Sequence, residues 1–215
     1  MPPFFGELVV RTDEARRAFE THPVVIDAVA NGMSVERYRR LLLELYQVVW
    51  HFNPICAAAA SRITDDHQRV RYFLYEHMQE EQGHEEWVAN DLDAVGLPRS
   101  DMQGHRPAAD TLAMTGYNYW AAERRNPCSV LGMLYALEVI ASVYGGPFAT
   151  AMRESLLLED SRGITFIDSH STLDAKHMAE LREILNTIAD TPSREAIIES
   201  VELNFTQFTR IFAAI

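Results

Sequence analysis

The stretch His170-Ser171-Thr172-Leu173-Asp174-Ala175-Lys176-His177 sets two imidazoles and a carboxylate at positions i, i+4 and i+7. In a helix these three side chains stack on one face over two turns. Such a stripe serves an apolar core poorly and a metal ion well. A second stripe is His77-Met78-Gln79-Glu80-Glu81-Gln82-Gly83-His84. It offers two spacings. Glu81 and His84 form Glu-x-x-His, the i, i+3 pair that di-iron bundles turn inward. His77 and His84 lie two turns apart on one face, and both pairs cannot be assumed to bind. Glu80, Glu85 and Glu86 read as solvated charge.

Two lone glutamates complete the pattern. Glu44 sits in Leu41-Leu42-Leu43-Glu44-Leu45-Tyr46, and Glu138 in Leu134-Tyr135-Ala136-Leu137-Glu138-Val139-Ile140. A carboxylate buried in such a run needs a partner or a metal. Each could instead face solvent or pair with an arginine. Taken together, Glu44, Glu81/His84, Glu138 and Asp174/His177 follow the order carboxylate, Glu-x-x-His, carboxylate, acid-x-x-His. That order points to a binuclear metal centre inside a helical bundle. His170 is one imidazole more than a ferritin-type site needs.

The rest of the chain reads as helix. Strand patterns are nearly absent. Short helices are expected near 13–20 and 23–30, ended by Asn31-Gly32. Ser34 caps a long helix to about Arg62, and Asp65 or Asp66 opens one over about 66–95. Residues 97–107 read as a polar loop, and a helix follows at 109–124. Pro127 opens another that Gly145-Gly146-Pro147 should break or kink. The His170 helix covers roughly 164–189, and Thr191-Pro192 starts the last one. The expected fold is an all-α bundle of about seven to eight helices, one domain over 1–215.

Composition narrows the function. The chain has 215 residues, 47% of them hydrophobic, and a formal net charge of -12. An acidic surface argues against nucleic acid or anionic membrane as the main partner. No uncharged apolar stretch reaches the ~18 residues of a membrane span. The first residues lack the pattern of a signal peptide, and the two cysteines, Cys56 and Cys128, need no oxidising compartment. A cytoplasmic protein with a small-molecule substrate is expected. The one lysine is Lys176.

The sequence resembles the haem-oxygenase-like di-iron oxidases, which share a fold with thiaminase II (TenA) and pyrroloquinoline-quinone synthase. The likeness spans most of the chain. It is carried by His22-Pro23 with Asn31-Gly32-Met33-Ser34, by Glu81-Gln82-Gly83-His84, by Pro127 with Leu131 to Glu138, and by His170-x-x-x-Asp174-x-x-His177. The resemblance implies a haem-oxygenase-like bundle. It implies Glu44, His84, Glu138, His170, Asp174 and His177 as iron ligands, with Glu81 or His77 at the remaining position. It implies two Fe ions, with Mn as a substitute metal, and O₂ as cosubstrate. The reaction would be oxidation of an amino acid or related carboxylate, by N-oxygenation or oxidative C–C or C–N rearrangement. Some relatives consume a lysine near the metal. Lys176 is turned about 100° per residue from its neighbouring ligand positions, so an external substrate is expected. A homodimer is compatible with such a fold. Tyr46, Trp50, Tyr135 and Tyr144 are candidate lining residues of a pocket beside the metals.

Two rival readings remain. One is a metal-free TenA-like hydrolase using Cys128, placed at a helix N-terminus where a thiolate is favoured. The other is a ferritin-like metal-binding protein, which leaves His170 unexplained.

Overall fold

A computed structural model describes residues 3–215, and the side chains of all of these except Gln103 and 171–175. Asp174, an expected ligand, therefore has its side chain outside the described residues. Every regular element among the described residues is helical. The chain opens with α1 (Phe4–Arg11), which the sequence reading passed over, then α2 (Asp13–Glu20) and α3 (Pro23–Asn31). α4 (Val35–Ala60) starts at Ser34, whose Oγ accepts from the Arg37 amide at 3.4 Å. It buries Tyr38, Leu41, Leu42, Leu45 and Val48, and carries Glu44 on the same inward face.

The single helix expected over 66–95 is two. A 3₁₀ turn at Asp65–His67 leads into α5 (Gln68–Glu80), and α6 (His84–Ala94) begins after a break. Gly83 makes the break at φ 91°, a left-handed conformation that glycine adopts without a Cβ penalty. The expected loop holds a short α7 (Arg99–Gln103), and α8 (Ala109–Arg124) follows as read from the sequence. α9 (Val130–Ile140) does not break at the glycines. It runs through a five-residue π turn, Ala141–Gly145, into α10 (Gly146–Ser155). Pro147 has no amide to close an ordinary helical turn, and the wider turn absorbs that loss. α11 (Thr165–Leu185) and α12 (Thr191–Ala214) complete the chain.

α12 lies across α8 and α9 at the centre of the bundle. The two backbones of α9 and α12 meet at Gly132, where a Cβ would come within 2.4 Å of the Ile197 carbonyl oxygen. Pro127–Ser155 is long and apolar enough to cross a membrane by length and composition, with Glu138 interrupting its apolar run. However, 67% of its most apolar window is buried against the other helices, as in the core helix of a bundle.

The start of α11 is tied down from two sides. The Asp91 carboxylate on α6 accepts from the amides of Gly163, Thr165 and Phe166 at 3.1, 2.9 and 2.8 Å. From α4, the Tyr38 hydroxyl donates to the Gly163 carbonyl at 2.8 Å. The Asp91 bonds satisfy free amides at the helix start, and the Tyr38 bond holds the carbonyl just before it. They also fix the register of the helix that carries His170 and His177.

Candidate metal centre

His77 and Glu81 are i, i+4, so they share one face at the end of α5, ahead of the break at Gly83. Here Glu81 ends α5 and His84 begins α6, with His84 N still reaching the Glu81 carbonyl at 3.4 Å. Both His77 and Glu81 then face the interior together. Two groups of ligand-type atoms result, each within 4.8 Å: His77, Glu81, Glu138 and His177, and Glu81, His84 and His170. Glu81 belongs to both. One carboxylate shared between two clusters places it to serve both.

The distances describe a converging set. His177 Nδ1 lies 3.2 Å from Glu138 Oε1 and 3.6 Å from Glu81 Oε1. His77 Nε2 lies 3.7 Å from Glu138 Oε1. On the other side of Glu81, His84 Nδ1 lies 2.6 Å and His170 Nε2 3.7 Å from Oε2. All four histidines are at most 9% exposed. Burial works against charge on Glu81, but hydrogen bonds from His170 and His84 overcome it and hold the carboxyl well below the usual range. Burial pushes the His77 imidazole down, so the ring is favoured neutral, the form that binds metal.

Outer contacts aim several rings. His170 Nδ1 donates to the Phe166 carbonyl at 2.7 Å, which turns Nε2 toward Glu81. His177 Nε2 meets Glu80 Oε2 at 3.1 Å, which turns Nδ1 to the cluster. The His84 ring stacks on Trp87 at 4.1 Å, and His77 stacks on Phe73 at 5.4 Å.

Glu44 is the correction. Its carboxylate lies in neither cluster. It accepts from His105 Nε2 at 2.8 Å, from the Ala108 amide at 3.1 Å and from Thr111 Oγ1 at 2.5 Å. Those donors come from α8 and the segment before it, so Glu44 fastens that segment to α4. His105, expected to be structural or exposed, is its partner. Glu80, expected to be solvated charge, touches His177 as well. Nothing in its spacing marked it, because that contact crosses between helices.

A cavity of about 140 Å³ opens beside the clusters, with Glu81, Glu138 and His170 in its wall. The rest of the lining is almost wholly apolar, from Leu41, Leu45, Val48 and Phe52 on α4 to Phe208 and Phe212 on α12. Of the four aromatics expected there, Tyr144 lines it. Trp50 is half exposed, and Tyr135 packs against Phe5 at 6.0 Å. Cys128 is not in the lining, and burial pushes its thiol up to about 11. A nucleophile needs the thiolate.

The chain matches the family described as iron-containing redox enzymes over residues 39–205. The chain belongs to that family. No curated protein sequence matches it. Among solved structures, a domain of unknown function with a heme oxygenase-like fold from Shewanella denitrificans is 23% identical, with a TM-score of 0.83 over 97% of this chain and 88% of that one. A TenA homolog from Pseudomonas syringae is 15% identical, with a TM-score of 0.84 over 99% and 92%. Heme oxygenase-1 from Synechocystis, in complex with heme, is 15% identical, with a TM-score of 0.79 over 99% and 91%. The fold is therefore haem-oxygenase-like, as the motifs led one to expect, with more helical segments because α1 and α7 are added, Gly83 divides one expected helix and a π turn separates α9 from α10.

Proposed function

We propose that this iron-containing redox enzyme is a non-haem di-iron oxidoreductase that uses O₂ to oxidise a small carboxylate with an apolar body. The observation that carries the reading is the set of buried ligand atoms without hydrogen-bond partners: both ring nitrogens of His77, and Glu138 Oε2. Leaving such atoms unsatisfied costs about 1–3 kcal/mol each. A metal ion is the partner that suits the Glu138 oxygen and the one His77 ring nitrogen that carries a lone pair. His77, Glu81, Glu138 and His177 would hold one iron, and Glu81, His84 and His170 the other, with Asp174 as a further ligand. Mn is the alternative metal for the same donors. Bound there, the two irons supply the electrons and the open coordination that O₂ reduction needs.

The chain's own residues do the rest. Phe166 and Glu80 hold the imidazoles of His170 and His177 in the tautomers that face the centre. The apolar wall excludes water from the reacting groups. The charged or titratable groups among the described lining residues are Glu81, Glu138, His170 and the Tyr144 hydroxyl. No arginine or lysine stands among them to receive a carboxylate, so the substrate's polar end belongs at the metals, where two ferrous ions outweigh three carboxylates. Its apolar body belongs against Leu45, Val48 and Phe208. An amino acid with an aliphatic or aromatic side chain fits this division, and oxidation at its nitrogen or at the adjoining C–C bond is the reaction in reach.

Anaerobic Fe²⁺ titration of the metal-free protein, followed by O₂ and a panel of carboxylates, tests the reading. Two irons per chain and O₂ consumption stimulated by apolar amino acids are expected. Failure to bind iron would overturn it.

A further inference from the structure

A second cleft, lined by different helices from most of the apolar chamber, also reaches the centre at His77. This cleft of about 340 Å³ runs between α5 and α11, with Glu76, Glu80, Glu180 and Glu183 in its wall and His77 among them. The glutamates alone would be ordinary surface charge. His77 sets the cleft apart, because its side chain is only 2% exposed, lines the cleft and has both ring nitrogens unpartnered. We propose that this cleft is an uptake site for a divalent cation, through which a hydrated ferrous ion reaches His77. This rests on the di-iron reading and deepens it.

The chemistry of the two openings differs in the sense the proposal needs. A hydrated dication entering the apolar chamber would shed water mostly against hydrocarbon, with only Glu81, Glu138 and His170 in the wall to replace it. In the cleft, carboxylates replace water one by one and concentrate the cation before it arrives. Glu80 joins the cleft to the centre, since its Oε2 touches His177 Nε2 at 3.1 Å. Two cations of the protein already stand there. Arg69 is in the wall, and Lys176 Nζ lies 2.5 Å from Glu80 and 3.6 Å from Glu180. Four carboxylates against these two leave the cleft negative. Lys176 occupies the charge that an incoming dication would take over, so it competes with uptake.

The test follows binding, not turnover. Co²⁺ is mixed with the metal-free, full-length protein, and its visible absorption reports ligation. Three proteins are compared at low and high salt: wild type, Glu76→Gln/Glu180→Gln/Glu183→Gln, and a control of equal charge change on exposed sites elsewhere, Glu14→Gln/Glu36→Gln/Glu159→Gln. The cleft variant should load about tenfold more slowly at low salt, reach the same final metal content, and converge with wild type at high salt. The control should stay within about twofold of wild type. Lys176→Met should speed loading. A cleft variant that loads like the control overturns the uptake site while leaving the di-iron reading intact. A wild-type protein that takes up no Co²⁺ overturns both.

Discussion

Glu44 and Glu138 look alike in the sequence and almost alike in exposure, at 6% and 7%. Each is a lone carboxylate in an apolar helix of the same bundle. Their surroundings are opposite in kind. Around Glu44 stand donors: an imidazole N–H, a backbone amide and a hydroxyl. Around Glu138 stand other ligand atoms. Oε1 faces the nitrogens of His177 and His77, and Oε2 has no hydrogen-bond partner. The first carboxylate is complete as it stands, while the second is one of several lone-pair groups with too few protons among them. Burial marks a glutamate as purposeful; the count of donors against acceptors says which purpose it has.

The same substitution at both sites breaks the comparison if it is wrong. Glu138→Gln keeps the shape and removes the charge. Loss of an outer partner lowers metal affinity by about 10–100-fold, so loss of this direct ligand should lower it by more than about 100-fold. Iron per chain after desalting should fall from two to one or none, with the helical circular dichroism unchanged. Glu44→Gln should retain both irons. Loss of iron in Glu44→Gln and retention in Glu138→Gln would exchange the two roles.

Stability should rank the pair the other way. In Glu44→Gln an amide NH₂ is forced against groups that are themselves donors. Each charge-assisted bond lost weakens the fold by about 1.5–3 kcal/mol, and one is expected to fail outright. Urea unfolding of the metal-free protein should show a drop of about 2–3 kcal/mol for Glu44→Gln, with Glu138→Gln within about 1 kcal/mol of wild type. Equal losses at both sites would mean that Glu138 also serves the fold.

How far the sequence could see follows the same line. The capped helices α4 and α12 and the uncapped α8 were legible, as were the His170 and His84 stripes, because their signals are local. The break at Gly83 was present as a glycine but hidden by an otherwise continuous helical pattern. Glu81 and His77 stood as alternatives, yet at i, i+4 they share one face, and the fold turns both inward. Glu44 was misread because its donors lie more than sixty residues away in sequence, on His105, Ala108 and Thr111. The contact of Glu80 with His177 is of the same sort. Spacing reports which residues share a face of one helix; it is silent on what a neighbouring helix brings to that face.

The smallest effect isolates one donor. Thr111 is fully buried, and its hydroxyl donates to Glu44 Oε2. Thr111→Val keeps the branched shape and removes that bond alone. The carboxylate keeps the His105 and Ala108 donors, so the loss should be about 1 kcal/mol, near the net worth of one hydrogen bond. Iron content should not change, because nothing at the clusters depends on the hydroxyl. Combined with Glu44→Gln, the second change should add little, since both remove the same interaction and neighbours of this kind are not additive. Full additivity in that double variant would mean that Thr111 and Glu44 stabilise α8 independently. The web of donors around Glu44 would then no longer be what distinguishes it from Glu138.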